Sequence, residues 1–184
     1  MKSIIVVLIV VALIALFLIS MYNRLVRLNV SVSEAFSQIE VQLKRRSDLI
    51  PNLVETVKGY AAHESETFEK VVAARAKATT ATTVADVAAA DGMITQALRG
   101  LLAVAEAYPD LKASTNFLAL QEELATTENK VSFARQYYND NVRALNTAVK
   151  TIPTSLFAGM AKVTEREFYL VDDPQSRQAP TVKF

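Results

Sequence analysis

The sequence predicts an all-α protein: an N-terminal transmembrane helix followed by an up-and-down antiparallel four-helix bundle. Three observations point there. An unbroken apolar run, IIVVLIVVALIALFLI, extends from Ile4 to Ile19. Downstream, apolar residues recur at intervals of three and four, the spacing of a helical stripe packed on its neighbours. Gly and Pro number only 4 and 5 among 184 residues, less than half of what average usage, about 12% together, would give. Neither Gly-rich phosphate loops nor the alternation of strands is present, which disfavours nucleotide-binding α/β folds and all-β folds.

The first element is a membrane span. Ser20, Met21 and Tyr22 extend the apolar run to nineteen residues, about 28 Å of helix against a hydrocarbon core of about 30 Å. A cleaved signal peptide is the competing reading, but the run is long for one, its basic lead is only Lys2, and no Ala-x-Ala site follows. Tyr22 stands where an interfacial aromatic belongs, and Arg24 and Arg27 follow it, a positive-inside bias that favours an N-out, C-in orientation. No ionisable residue interrupts the run, which argues against a proton or ion path. The domain boundaries predicted are an anchor over 1–22, a helical bundle over 23–153 and a partly irregular extension over 154–184.

Beyond the anchor, Val32, Phe36, Ile39, Leu43, Arg46, Ile50, Leu53, Val57 and Tyr60 form one seam with steps of four and three. Ser31 and Glu34 fit a capping box, so a fresh helix is expected to start there. Pro51 is tolerated in a first helical turn but costs about 3 kcal/mol inside a helix. The expected arrangement is therefore a break at 46–50, with Ser47 or Asp48 as cap and a second helix over about 50–78. The alternative is three long helices with the first kinked at Pro51, because the seam keeps its phase. Thr79 to Gly92 has no seam and reads as a loop that can order into a weak helical lead. A third helix carries Ile94, Leu98, Leu101, Leu102 and Ala105 and stops at Tyr108, before Pro109. A fourth, capped by Ser114, carries Phe117, Leu120, Leu124, Val131, Ala134, Tyr138, Val142, Leu145 and Val149 and closes at Pro153. The final stretch DDPQSRQAPTVKF, after Phe168 and Tyr169, is expected to be loose.

Candidate chemistry is sparse. With no Cys and one His, thiolate nucleophiles, iron–sulfur clusters and zinc-thiolate sites are excluded. His63 precedes Glu64, but position 67 is Thr, so the second ligand of a His-Glu-x-x-His helix is missing. Di-iron bundles need two Glu-x-x-His pairs and fail likewise. A net charge of +1 offers no field for nucleic acid, and the triplet Lys44, Arg45, Arg46 is too short and too balanced by Glu40 and Asp48 to make a stripe. No cofactor or metal site and no catalytic residue is predicted.

The candidate structural or interaction residues are Arg46, Asp48, Pro51, Asn52, Arg135, Tyr138, Asn139 and Asn146. Arg46 is the one charge in its seam and calls for a carboxylate from Asp48, Glu123 or Glu128. Asn139 and Asn146, seven apart, share a face with Arg135. A polar ladder that fixes register explains them, as does a groove that binds a partner peptide through those amides and Tyr137 or Tyr138. A second stripe, Val54, Ala61, Phe68 and Val72, could be covered by another copy of the chain.

Two segments carry a resemblance: MYNRLVRLNVSVSEAFSQIEVQLKRRSDLIPNLVETVKGYAAHE and EAYPDLKASTNFLALQEELATTENKVSFARQYYNDNVRALNT, with Ile-Pro at 152–153. The chain resembles the LemA family of bacterial membrane proteins over most of residues 21 to 153. That resemblance implies a short N-terminal membrane helix, a helical bundle without established catalysis, and a cell-membrane location. It also implies proximity to a membrane metalloprotease, with a role in membrane-protein quality control or membrane organisation. The chain departs from the family pattern after Pro153, where EREFYLV replaces a short amphipathic piece ending near a Tyr-Phe pair. The function expected is a single-pass membrane-anchored interaction module, a scaffold or adaptor. Its partners would be the lipid bilayer, further copies of itself and another membrane protein, not nucleic acid. A signal-relay bundle is the second reading, and an enzyme the least favoured.

Overall fold

The structure is a computed structural model that describes residues 2–170; the final stretch expected to be loose lies outside the described residues. The chain is all-helical, with no strand among those residues. Its long elements are α1 (Lys2–Lys58), α2 (Ser65–Thr80), α3 (Val84–Glu106) and α5 (Thr115–Lys150). Single turns form α4 (Pro109–Lys112) and α6 (Ser155–Ala158).

Helix α1 corrects the expected breaks: neither Ser31 nor residues 46–50 interrupt it, and Pro51 lies inside. Burial explains why the proline is tolerated. Ile50, Leu53, Val54 and Val57 are all at most 6% exposed. At about 1.5 to 3 kcal/mol for each fully buried side chain, they outweigh a penalty of about 3 kcal/mol at Pro51. The chain instead turns after Lys58, and Tyr60, last in the predicted seam, is exposed.

Thr79 to Gly92 is also mostly helical. Thr83 caps α3 from extended backbone: its hydroxyl accepts the Asp86 N–H at 3.1 Å and donates to the Asp86 carboxylate at 2.7 Å. The alanines that follow are the strongest helix formers, and Ala88 and Ala90 are buried. The turn at Pro109 and the start of α5 fall where the sequence puts them, with the Ser114 carbonyl accepting the Leu118 N–H.

By its contacts the chain forms two compact units. The first comprises residues 1–39 and 134–168. Here Leu25, Val32 and Ile39 of α1 and Tyr138, Val142 and Leu145 of α5 are buried. The Phe36 and Tyr138 rings meet at 5.7 Å, tilted by 56°. One cavity is lined by Phe17 and Met21 together with Ile152 and Thr154, so going back along α1 goes forward along α5: the two segments are antiparallel. The second unit comprises, of the described residues, 40–133 and 169–170. Its core joins Leu53 and Val57 of α1, Phe68 and Val71 of α2, Leu98 and Leu101 of α3, Leu111, and Phe117 and Leu124 of α5. Val54, Ala61 and Phe68 are buried in that same core, which leaves only Val72 of the second stripe exposed.

Candidate functional site

Arg46 follows Leu43 and precedes Ile50 on the buried side of α1, so its guanidinium is carried inside and is only 6% exposed. Helix α3 supplies the answer. Asp91 lies three residues before Ile94 and seven before Leu98, on the stripe that α3 buries, and its side chain is 1% exposed. Arg46 Nη1 donates to Asp91 Oδ1 at 2.9 Å and to the Thr95 hydroxyl at 3.0 Å. It also stands 2.9 Å from Glu128 Oε2 of α5. The Thr95 hydroxyl donates onward to the Asp91 main-chain carbonyl at 3.0 Å, and the Tyr169 hydroxyl donates to Asp91 Oδ2 at 3.0 Å. Two cavities of about 300 Å³ flank the cluster, one bordered by Arg75 and Asp91, the other by Arg46, Arg99 and Glu128. The carboxylates of this cluster are engaged by Arg46 and, at Asp91, by Tyr169, so the polar groups hold the fold together.

The first unit has its own polar site, built on the C-terminal tail. Residues 163–168 form neither helix nor turn, and Asn146 on α5 grips their backbone at both ends of its amide. Its Nδ2 donates to the Arg166 carbonyl and its Oδ1 accepts the Arg166 N–H, each at 2.9 Å. Nearby, the Tyr138 hydroxyl donates to the Glu167 carbonyl at 2.8 Å, Arg166 Nη2 donates to Asn29 at 3.1 Å, and Lys150 pairs with Glu165 at 2.7 Å. Burial of Tyr138 raises its pKa; the Arg166 charge partly offsets this and the Glu167 charge adds to it. Of the α5 face expected to take a partner peptide, Asn146 and Tyr138 are instead bonded to the backbone of this chain's own residues 166 and 167. Asn146→Ala removes both backbone bonds. It should speed amide exchange at Arg166 at least tenfold in hydrogen-exchange mass spectrometry, the effect of losing about 1.4 kcal/mol of local protection, while α3 amides keep their rates.

The remaining predicted residues scatter. Asp48 is exposed and pairs with Lys44 at 3.4 Å instead of with Arg46. Glu123, the second proposed partner, pairs with Arg45 at 2.9 Å, whereas Glu128, the third, does stand 2.9 Å from Arg46. Pro51 is half-buried within α1, and Asn52 is exposed, its main-chain carbonyl accepting the Thr56 hydroxyl. Arg135 and Asn139 are half-buried on α5. His63 is exposed, in the turn between α1 and α2. Among the described residues no three His, Asp or Glu side chains group as metal ligands.

Of the helices, α1 and α3 are long and apolar enough to cross a membrane. They differ in kind: the most apolar window of α1 has mean hydropathy 3.4 and no residue buried, whereas that of α3 has 1.2 and is one-third buried. Helix α3 also holds the Asp91 pair in a protein core, so it reads as a core helix, and the N-terminal part of α1 is the one suited to lipid. The fold and its sites thus define an all-helical protein with a candidate N-terminal membrane helix and buried polar groups that tie its own elements together.

A family model described as the LemA family matches residues 35–184, and the chain belongs to that family. The match runs through EREFYLV to the last residue, so the segment that departs from the expected pattern lies within the family match. The chain is similar to Protein LemA of Metamycoplasma hominis, 28% identical over 139 residues, which are 74% of this chain and 63% of that relative. The match thus spans less than two thirds of the curated relative's length. LemA is not known as a family of enzymes.

Proposed function

We propose that this protein is a single-pass anchored interaction module, a scaffold or adaptor that presents a helical surface at a bacterial inner membrane. The observation that carries the reading is the contrast within α1. Its apolar run is wholly exposed, as a lipid-facing helix is, while Arg46 further along the same helix is buried and engaged with Asp91 and Glu128. Side chains that elsewhere do chemistry are here joined to one another, and the only His is exposed in a turn. Arg24 and Arg27 just past the run support an orientation with the bulk of the chain in the cytoplasm. The partners proposed are further copies of the chain and a membrane protein, a membrane metalloprotease among them.

The continuity of α1 from the apolar run to Lys58 favours a second reading, a relay in which a shift of the span is carried along that helix. Replacing residues 4–19 by an unrelated apolar helix separates the two. A tether keeps its cross-linked partners and its cellular phenotype after the exchange; a relay keeps the partners and loses the phenotype. Loss of activity on His63→Ala, with the fold intact, would contradict both.

A further inference from the structure

We propose that the corner joining α5 to α6 is a second contact with the lipid bilayer, with Ile152, Leu156 and Met160 inserted at the membrane interface. The inference rests on reading the apolar run of α1 as a membrane span, and it adds a surface which that reading does not require. Ile152, Leu156 and Met160 are 80%, 72% and 66% exposed, the most exposed large apolar side chains of the first unit outside the N-terminal run. Single exposed apolar residues are ordinary on a protein surface; three such side chains within nine positions concentrate apolar surface at one corner of the chain.

Its position says what covers it. A cavity of about 500 Å³ is lined from α1 by Phe17, within the apolar run, and by Met21 at its edge, and from the corner by Ile152 and Pro153. The corner therefore stands at the level where the run ends. Arg24 and Arg143 line the same cavity, Arg143 paired there with Asp140 at 3.1 Å, and Lys162 follows the apolar residues; all three cations are exposed. Apolar side chains with cations beside them are the composition of a surface lying in the headgroup region, where guanidinium groups meet lipid phosphate.

The chain has no Cys, so Leu156→Cys, Met160→Cys, Leu13→Cys and Tyr137→Cys each carry one thiol for an environment-sensitive fluorophore. Leu13 lies in the span. Tyr137 is exposed on α5, thirteen residues before that helix ends, about 20 Å along its axis. The full chain is reconstituted in phosphatidylcholine–phosphatidylglycerol vesicles containing a lipid with a nitroxide on its acyl chain. Probes at 156 and 160 are expected to be quenched several times more than the probe at 137 and nearly as much as that at 13. Quenching at 13 with none at 156 or 160 overturns the inference and leaves the span intact, whereas none at 13 either overturns the span itself. An apolar emission shift at 156 and 160 without quenching, lost in nanodiscs holding one copy, assigns the corner to a second copy of the chain, and overturns the lipid assignment. The two corner probes are independent, so one variant that fails to fold leaves the other to decide.

Discussion

Asp91→Ala should destabilise the protein by about 3 kcal/mol, the lower end of the range of about 3 to 5 kcal/mol for a buried ion pair that loses one member. The loss has two parts. Arg46, 6% exposed on its side chain, keeps its charge but loses its most buried acceptor, and the Tyr169 hydroxyl loses the carboxylate oxygen 3.0 Å away. Glu128 sets the lower end: its carboxylate remains 2.9 Å from Arg46 Nη1 and reaches solvent, its side chain being 40% exposed. Asp91→Ala combined with Glu128→Ala should approach the upper end. Arg46→Met in the Asp91→Leu background should recover much of the loss, because two apolar side chains in a core need no partner. Denaturant melts of the single and double variants measure the coupling. Asp91→Ala within about 0.5 kcal/mol of the parent, the range of an ordinary surface substitution, would contradict the pairing.

Tyr138→Ala should be about as damaging, about 3 to 5 kcal/mol, as for other large buried aromatics cut back to Ala. Tyr138 is 2% exposed, packs against Phe36 and donates to the Glu167 carbonyl. Tyr138→Phe keeps the ring and removes only that hydrogen bond, about 1 kcal/mol. The phenol also gives a pH signature. Its folded pKa lies above that of the unfolded chain because burial disfavours the phenolate. The corresponding stability is whole below the unfolded value of about 10 and is lost as pH rises through the folded pKa. Melting temperatures taken from pH 8 to 12 should therefore fall more steeply for the parent than for Tyr138→Phe. Parallel curves would place the hydroxyl in water.

Much of the fold is legible in the sequence because helix packing writes itself as spacing. Ile50, Leu53 and Val57, or Tyr138, Val142 and Leu145, are buried where the stripes put them. Local signals mislead where packing overrides them. Pro51 and the Ser31–Glu34 pair both have the chemistry of a helix start, yet a seam that keeps its phase holds α1 intact through both. Thr83 to Gly92 hides the reverse case: its alanines are too small to mark a stripe, while Thr83 and Asp86, three apart, carried a readable cap. At the site, Arg46 announces itself as a charge inside a seam. Its partner Asp91 has the same signature, a charge in line with Ile94 and Leu98, but the stretch around it reads as a loop. Tyr169 lies 78 residues from the carboxylate it meets, and no local pattern encodes such a distance. Asn146 stands between, since its place on α5 and its suitability for a peptide backbone are readable and the identity of that peptide is not.

The most direct test of a protein that works by contact is site-specific photo-crosslinking of the full chain in its native membranes, with probes at exposed Val72, Phe133 and Tyr137. An anchored interaction module predicts discrete adducts from at least one position: a ladder of copies, or one repeated partner, retained when His63 is replaced by Ala. Monomer alone from every position, in membranes where the protein is active, would contradict it.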